Sequence, residues 1–397
     1  RTEQSEPKPT VLNILQMTDL PGLGQWIHGL ARFHDRSRFR MSIATIGPRN
    51  DHHAMLEGFG VSTFALGATK RRHYPGAIVK LARVLRREQI DILQMHMFDP
   101  SAIGLLAAKL AGTGLTIVTR HHADFTTLYN RPIHRGIDRW QALTADHVMA
   151  ASDAVKRAMM VYERVPEEKI TVARYGYDFQ SLHPHLSHDE RVQLRDSLGG
   201  NSRYLIATIS RLSIEKGHQY LFEALRQLVV DHPKLKLLLA GSGPMEAELK
   251  QQVSQMGLAA HVEFLGWRPD IHRVMEAMDL IVHPSLHEAF CNVIIEAMAL
   301  ERPLVATDVA GAPEQIVHLK SGLLIPPRDP AAIVAAVREL VADPTRAAGM
   351  GRAARQRVIE NWNFPKMMRE YEDCYQRWWN DKHLGAPQST ATEATAR

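Results

Sequence analysis

The amino-acid sequence predicts an α/β protein made of two Rossmann-like domains. Short β-branched runs alternate with amphipathic helical patterns along the chain, and this alternation is typical of parallel sheets with helices on both faces. The alternation pauses after residue 176 and starts again near residue 203. At 397 residues, the chain also exceeds the length at which a single hydrophobic core usually keeps growing. We therefore expect two domains, each with its own sheet.

Eleven short runs are predicted to be strands, because each is rich in aliphatic or β-branched residues and is bounded by polar or turn-forming residues. Helical patterns separate them, as the crossover connections between parallel strands require. In the first half, the predicted strands cover residues 11–17, 41–46, 92–96, 115–119 and 147–150. In the second half, they cover residues 204–210, 235–240, 261–264, 280–283, 304–306 and 322–325.

The chain is predicted to divide where the alternation pauses. The segments are a disordered N-terminus (1–10), a first domain (11–180), a linker or hinge (181–202), a second domain (203–362), a final helix (363–383) and a disordered tail (384–397). The linker contains His183, His185 and His188, which we interpret as part of a solvated stretch because no structured acidic partner accompanies them. The final helix is amphipathic, and its apolar residues recur near helical spacing from Phe364 to Trp378.

Charge is shared unevenly between the two halves. Residues 1–180 hold 24 Lys or Arg and 17 Asp or Glu, whereas the rest of the chain holds 24 and 26. The basic residues of segments 70–72 and 80–87 are interpreted first as a solvated helix face, the alternative being contact with an anionic membrane surface or a phosphorylated acceptor. Nucleic acid is not expected as a partner, because aromatic residues do not interleave with the basic ones.

The composition is that of a folded protein outside the membrane. No run approaches the roughly 18 apolar residues that span a bilayer. The two cysteines, Cys291 and Cys374, are far apart in sequence and do not form a disulfide framework. We therefore predict a cytoplasmic protein, with peripheral contact at the inner face of the membrane as a further expectation.

The most informative segment covers residues 279–296. An apolar strand ends in a Pro-Ser turn, Glu288 follows in a loop, and a helix that carries Glu296 comes next. The free N–H groups and the dipole at the start of a helix favour a phosphate there, and two flanking carboxylates can accept hydrogen bonds from hydroxyl groups. This layout suits a sugar nucleotide, which carries hydroxyl groups on either side of its negative charge.

Two more strand ends of the second domain carry residues suited to binding a ligand. Arg211 and Lys216 follow the strand at 204–210, and both can bind a phosphate. The next strand ends in the tight turn that contains Gly241 and Gly243, where a ligand can approach the backbone closely. Because ligands of open α/β sheets bind beyond the carboxyl ends of the strands, these residues are predicted to share one site.

These motifs together resemble the retaining glycosyltransferases of the large family 4. The matching residues are Arg211, Lys216-Gly217, Glu288 with seven residues to Glu296, Ala297-Met298-Ala299, Pro303, Gly311 and Pro313-Glu314. The first half resembles the family more loosely, through Pro21-Gly22-Leu23-Gly24 and Thr119-Arg120-His121. The resemblance implies the GT-B fold, in which two Rossmann-like domains face a central cleft and the last helix crosses back to the first domain.

The resemblance also implies roles for individual residues. Glu288 would contact hydroxyl groups of the donor sugar, Glu296 would bind the ribose, and Arg211 and Lys216 would neutralise the diphosphate. Gly22 and Gly24 would lie against the diphosphate, and His121, or else His122, would face the donor sugar. The remaining donor-binding residues would be Gly241, Gly243, Gly266, Cys291, Asn292 and Val293. Ala289 and Cys291 stand where the family often has glycine, so side chains are expected beside the sugar pocket.

The expected function is transfer of a sugar from a UDP- or GDP-sugar to a saccharide or lipid-linked acceptor, with retention at the anomeric carbon, in polysaccharide or glycolipid synthesis. No Asp-x-Asp pair occurs in the sequence, so neither a metal nor another cofactor is expected. A GT-B hydrolase or epimerase acting on nucleotide sugars, and a non-catalytic nucleotide-sugar sensor, are the alternatives. The sequence leaves open the base, the sugar, the acceptor, the linkage and the oligomeric state.

Overall fold

A computed structural model describes residues 11–19, 24–121, 132–180, 182–200 and 203–383, and these residues form two parallel sheets with helices packed on them. Of the predicted features, Gly22, His122 and the two disordered termini lie outside this range. The prediction of two Rossmann-like α/β domains is confirmed.

The first sheet has seven strands in the described residues, in the order β3-β2-β1-β4-β5-β6-β7, and every pairing is parallel. The strands are β1 (Leu12–Thr18), β2 (Phe39–Thr45), β3 (Ser62–Ala65), β4 (Ile92–His96), β5 (Leu115–Arg120), β6 (His147–Ala150) and β7 (Ile170–Val172). The helices are α1 (Gly24–Phe33), α2 (Asp51–Gly58), α3 (Tyr74–Arg87), α4 (Phe98–Ala111), α5 (Pro132–Thr144) and α6 (Asp153–Ala158), the last continuing as a π-helical turn (Met159–Glu163).

Helices cover this sheet on both faces because its central strands are apolar on both sides. Along β1, Ile14 belongs to one apolar cluster and the neighbouring Leu15 belongs to another. Both side chains are fully buried. Successive side chains of a strand point to opposite faces, so a nearly continuous apolar run requires a layer of helices on each side.

The second sheet has six strands in the described part of the chain, again all parallel, in the order β10-β9-β8-β11-β12-β13. The strands are β8 (Tyr204–Ile209), β9 (Leu235–Ala240), β10 (Val262–Gly266), β11 (Leu280–His283), β12 (Leu304–Thr307) and β13 (Leu323–Ile325). The helices from the linker onward are α7 (His188–Ser197), α8 (His218–Asp231), α9 (Glu246–Gln255), α10 (Ile271–Ala277), α11 (Asn292–Ala299), α12 (Ala312–Gln315), α13 (Pro330–Ala342), α14 (Pro344–Asn361) and α15 (Phe364–His383).

The last helix, α15, packs against the first domain, as the crossover prediction required. Tyr371, Tyr375 and Trp378 are buried in the apolar cluster that also contains Ile14 and Ile117. The Trp378 ring stacks on His147 at the start of β6, with ring centroids 4.2 Å apart. Helix α15 therefore completes the hydrophobic core of the first domain.

The chain crosses between the domains twice, and the two crossings are hydrogen-bonded to each other. Tyr177 lies on the outgoing segment and donates its backbone N–H to the carbonyl of Trp362, at 2.7 Å. The N–H of Phe364, on the returning segment, donates to the carbonyl of Tyr177, at 3.2 Å. Tyr177 and Asn363 form an isolated parallel bridge there.

Three features differ from the predicted elements. Strands β3 and β7 had not been predicted, and both are short strands at the edges of the first sheet. The range predicted as a linker contains α7, which begins with a capping box of Ser187 and Glu190. Arg195 of α7 forms an ion pair with Asp279, just before β11, at 2.9 Å, so this helix packs with the second domain.

Across the described residues, no helix is long and apolar enough to cross a bilayer.

Candidate active site

The two domains face each other across a cleft of about 890 Å³. The first domain and the crossing segment contribute Trp26, His121 and Tyr175, and the second domain contributes Asn292 and Glu296. Asn292 and Glu296 belong to the helix that follows the carboxyl end of β11, and ligands of open parallel sheets bind at such strand ends.

A buried cluster of charged and polar side chains lies at the end of β11. Glu288 Oε1 is 2.5 Å from Lys216 Nζ and 2.7 Å from His283 Nε2. The same His283 nitrogen is 3.3 Å from the sulfur of Cys291. Only 10% of the Glu288 side chain and 19% of the Lys216 side chain are exposed. The structure thus brings together Glu288 and Lys216, as predicted, and adds His283, which the sequence had not singled out.

Mutual charge keeps Glu288 and His283 ionised. Burial alone would raise the pKa of Glu288, but the hydrogen bonds and charges of His283 and Lys216 outweigh burial and lower it to about 2. Burial alone would lower the pKa of His283, yet Cys291 and Glu288 raise it to about 10. Near neutral pH, the cluster therefore holds a carboxylate between an imidazolium and an ammonium group.

We expect this arrangement to give the protein a characteristic pH dependence of stability. The Glu288 carboxylate stabilises the folded state fully above pH 4.5, and this contribution is lost as the pH falls towards 2. The protonated His283 stabilises the folded state fully below pH 6.5, and this contribution is lost as the pH rises through about 10. Glu288→Gln should therefore lower the melting temperature most between pH 4.5 and 6.5, and less at pH 9. Glu263→Gln, which removes a half-exposed partner of Lys236, is the control. An equal loss at pH 6 and pH 9 for Glu288→Gln would contradict the expectation.

Lys216 is aimed at Glu288 by a short helical turn (Ile214–Lys216) that ends at Gly217. Gly217 has a φ of +67°, and a Cβ atom there would lie 2.1 Å from the carbonyl oxygen of Pro284. Only glycine allows the turn to lie this close to the loop after β11. The loop is held in return, because Leu286 N–H donates to the carbonyl of Glu215 at 2.7 Å.

A groove of about 330 Å³ lies beside this cluster, at the ends of β8, β9 and β10. Arg211, Gly241, Trp267 and Arg268 line it, and 74% of Trp267 is exposed. Arg211 is mostly exposed and lies 3.6 Å from Glu215. The structure therefore places Arg211 at the groove and Lys216 in the buried cluster.

The predicted glycines at this edge meet backbone atoms of their own domain. A Cβ atom on Gly241, where φ is +130°, would lie 2.0 Å from the carbonyl oxygen of Ser210. A Cβ atom on Gly243 would lie 2.3 Å from the carbonyl oxygen of Leu212. Both positions require glycine for the packing of two loops, irrespective of any ligand. Gly266 ends β10 with a φ of +64° and has open space around it.

The start of α11 carries the other predicted donor-binding residues. Asn292 and Val293 are its first two residues, and Cys291 precedes them. Asn292 accepts a hydrogen bond from the hydroxyl group of Tyr177. Glu296, one turn further along α11, lines the cleft and is 3.8 Å from His272. Glu288 therefore lies in the loop before this helix, and Glu296 lies within the helix.

The loop between Glu288 and Cys291 touches both domains. Ser152 of the first domain donates its hydroxyl hydrogen to the carbonyl of Ala289, at 2.8 Å. The Ala289 side chain had been expected beside the sugar pocket, but it packs against the first-domain cluster that contains Val155 and Met159. Of the two side chains that replace glycine, Cys291 is the one directed to the Glu288 cluster.

His121 stands on the first-domain wall of the cleft. Its Nδ1 is hydrogen-bonded to the hydroxyl group of Tyr175, and its Nε2 is 3.1 Å from Nδ1 of His96. Burial and the neighbouring His121 lower the pKa of His96 well below its ordinary value, so His96 is neutral at pH 7. A ring nitrogen of His121 can hydrogen-bond a donor sugar only if it gives up its bond to Tyr175 or to His96. Gly24, also predicted to bind the donor, is the first residue of α1.

A buried hydrogen-bond network continues from His96 to the last helix. His96 Nε2 is 2.7 Å from Gln16 Oε1, and Gln16 Nε2 donates to Gln94 and to the hydroxyl group of Tyr375. Tyr375 in turn donates to Gln94. The orientation of His121 therefore depends on side chains of β1, β4 and α15.

One subset of the cluster could hold a metal ion. His283, Glu288 and Cys291 offer ligand atoms that all lie within 4.8 Å of one another. The described residues show no second group of this kind.

Comparison with known proteins supports one family along most of the chain. The family model "Glycosyltransferase Family 4" matches residues 21–181, and "Glycosyl transferases group 1" matches residues 191–357. The chain is 30% identical over 306 residues to N-acetyl-alpha-D-glucosaminyl L-malate synthase of Bacillus anthracis, covering 75% of this chain and 77% of that protein. It is 23% identical over 305 residues to UDP-Gal:alpha-D-GlcNAc-diphosphoundecaprenol alpha-1,3-galactosyltransferase of Escherichia coli, covering 75% and 78%.

Among solved structures, Anabaena Alr3699/HepE in complex with UDP and glucose has a TM-score of 0.80 with this chain at 22% identity. The alignment covers 92% of this chain and 99% of that one. This likeness extends over both domains and confirms the GT-B fold. Together with the family models and the Bacillus anthracis relative, it shows that the chain is a glycosyltransferase and belongs to the group 1, family 4 glycosyltransferases.

Proposed function

We propose that this enzyme transfers a sugar from a UDP- or GDP-sugar to a saccharide acceptor, with retention at the anomeric carbon and without a metal ion. The observation that carries the proposal is the buried Lys216–Glu288 pair beside the start of α11. The pair sets a cation for the diphosphate next to a carboxylate for the sugar hydroxyl groups, at the edge of the sheet where ligands bind.

The main activation barrier that such a site has to lower is the departure of the nucleotide from the sugar. As the bond from the anomeric carbon breaks, positive charge develops on the sugar ring and negative charge develops on the diphosphate. Lys216, which Glu288 holds in place, and the N–H groups at the start of α11 are fixed donors that stabilise the leaving diphosphate without large reorganisation. Arg211 adds a positive charge from the neighbouring groove. For retention, we propose that the acceptor attacks on the face from which the nucleotide leaves, and that a phosphate oxygen takes its proton.

The groove lined by Trp267 and Arg211 is proposed to take the nucleobase, because it opens beside the predicted diphosphate position. The Anabaena neighbour was crystallised with UDP-glucose, and the Escherichia coli relative is named for UDP-Gal. A mycobacterial relative is named for GDP-mannose, so relatives are found with both bases. We propose a nucleotide of one of these two classes.

The acceptor is proposed to bind on the first-domain side of the cleft, against the wall that carries Trp26 and His121. Its class is a saccharide or a lipid-linked saccharide, in polysaccharide or glycolipid synthesis. The exposed basic residues of α3, namely Lys80, Arg83, Arg86 and Arg87, would place that domain against an anionic membrane at the cytoplasmic face.

Metal independence is proposed from the chemistry of the residues. The positive charge that a divalent ion would supply at the diphosphate is available from Lys216 and Arg211, and the chain has no Asp-x-Asp pair. The Nζ atom of Lys216 is already held at the site by Glu288.

A thermal-shift and calorimetric screen tests the proposal. The purified chain is mixed with UDP, GDP, ADP and the common UDP- and GDP-sugars, with and without EDTA. A ligand at a hundred times its dissociation constant should stabilise the fold by roughly 2.7 kcal/mol. We expect selective stabilisation by one nucleotide class, and sugar transfer that falls by no more than about twofold in EDTA. Loss of transfer in EDTA that Mg²⁺ restores would overturn metal independence, and free sugar as the main product would favour a hydrolase.

A further inference from the structure

Three side chains of the Glu288 cluster are ligands that Zn²⁺ commonly takes, namely a thiol, an imidazole and a carboxylate. Cys291 and His283 are 4% and 2% exposed, and 10% of the Glu288 side chain is exposed. Their ligand atoms converge within 4.8 Å. We propose that His283, Glu288 and Cys291 bind Zn²⁺, and that the bound ion excludes the donor sugar.

The distances fit a tetrahedral ion after small movements. Zn–S and Zn–N bonds of about 2.3 and 2.0 Å place sulfur and nitrogen roughly 3.5 Å apart in a tetrahedron, and nitrogen and oxygen roughly 3.3 Å apart. The cluster shows 3.3 Å between Cys291 Sγ and His283 Nε2, and 2.7 Å between His283 Nε2 and Glu288 Oε1. These two pairs therefore need to separate by less than about 1 Å to admit the ion, and the third pair, Cys291 sulfur and a Glu288 oxygen, lies within 4.8 Å.

Binding requires the deprotonated forms of two of the ligands. Zn²⁺ takes Cys291 as a thiolate and His283 as a neutral imidazole, and any proton on the sulfur or on the bonding nitrogen leaves as the Zn–S or Zn–N bond forms, with no electron transferred. Cys291 directly precedes the first residue of α11, and a helix start favours negative charge on the sulfur.

Binding would leave one position of the ion open and would reorganise the donor site. Three protein ligands plus one water is the usual coordination of an accessible zinc site. Glu288 Oε1 would exchange its hydrogen bond with His283 for a bond to the ion, and the ion with its water would occupy the space in which a donor sugar would meet this carboxylate. This competition rests on the proposed function, whereas the metal site itself rests only on the geometry.

The test uses the full chain without an affinity tag and freed of metal. Zn²⁺ affinity is measured by competition with a chromophoric indicator, and Co²⁺ is added as a probe whose thiolate charge-transfer absorption reports a Co–S bond. We expect one strong site per chain and a Co–S band. In Cys291→Ala the band should vanish and Zn²⁺ affinity should fall by more than about tenfold, the effect of losing even an outer partner of a ligand.

The control is Cys374→Ser, which removes the other cysteine and should leave both signals intact. This comparison also separates the site from adventitious binding by the 21 histidines of the chain. A missing Co–S band in the wild type, or equal Zn²⁺ affinity in Cys291→Ala, would overturn the inference. If Cys291→Ala does not fold, the Co–S band of the wild type decides. Zn²⁺ binding without competition from the stabilising nucleotide sugar would support the metal site and contradict the placement of the donor.

Discussion

Lys216→Ala is expected to lower the turnover of sugar transfer by on the order of a hundredfold while leaving the fold intact. Lys216 supplies the buried ammonium group of the Glu288 cluster, and burial, which alone would lower its pKa, is outweighed by Glu288 and Cys291. The pKa of Lys216 is raised as a result, so the group stays charged as the diphosphate leaves. The measurement is release of nucleoside diphosphate at saturating donor, with the melting temperature as the check on folding.

Lys250→Ala is the matched control for this substitution. Lys250 is also paired with a glutamate, at 2.7 Å from Glu246, but it is half-exposed and lies on the surface of α9. Exposed pairs of this kind contribute little to stability, so turnover and melting should both stay close to the wild type. Turnover of Lys216→Ala near the wild-type value, in a protein that still binds the nucleotide, would remove the role assigned to Lys216.

Trp378→Ala is expected to destabilise the first domain by roughly 3–5 kcal/mol, the usual cost of removing a large buried aromatic side chain. Trp378 is 5% exposed, and it packs in the cluster that joins α15 to the first sheet. Urea unfolding measures the loss. Hydrogen exchange locates it, and exchange should become faster in β1 and β5, whereas β9, in the other domain, should be affected least.

Arg377→Ala tests whether the destabilisation by Trp378→Ala comes from the lost packing of the Trp378 ring or would follow from any substitution in α15. Arg377 is the preceding residue of α15, and its side chain is exposed. A surface substitution of this kind usually changes stability by less than about 0.5 kcal/mol. If Trp378→Ala were no more destabilising than Arg377→Ala, or if its faster exchange were spread equally over both domains, α15 would not be a structural part of the first domain.

The central strands could be predicted because each is a run of mostly apolar residues in the sequence. Four predicted strands have the observed bounds, namely β4, β6, β9 and β11, and each is a run of mostly apolar residues covered on both faces. The two missed strands are edge strands, and β3 has no fully buried residue. An edge strand pairs on one side only, so its sequence does not need the continuous apolar run that identifies a central strand.

The candidate site was predictable where it follows from topology. Glu288 and Lys216 follow adjacent strands, and parallel strands place their carboxyl ends together. His283 was missed because its role depends on the position of one ring between Glu288 and Cys291, and a histidine at the end of an apolar strand carries no pattern that distinguishes it. The glycines at 241 and 243 were predicted for a ligand, whereas contacts with the Ser210 and Leu212 carbonyls already require them.

The paired crossing segments have a mechanical consequence. Two backbone segments that are hydrogen-bonded side by side restrict the relative movement of the domains, because sliding one segment along the other would break both bonds at Tyr177. The Tyr177 hydroxyl group also bonds Asn292 at the start of α11, so the paired segments are linked to the second-domain wall of the cleft. Any opening or closing that keeps these bonds is therefore a rotation, which would bring the wall carrying Glu296 towards the wall carrying His121.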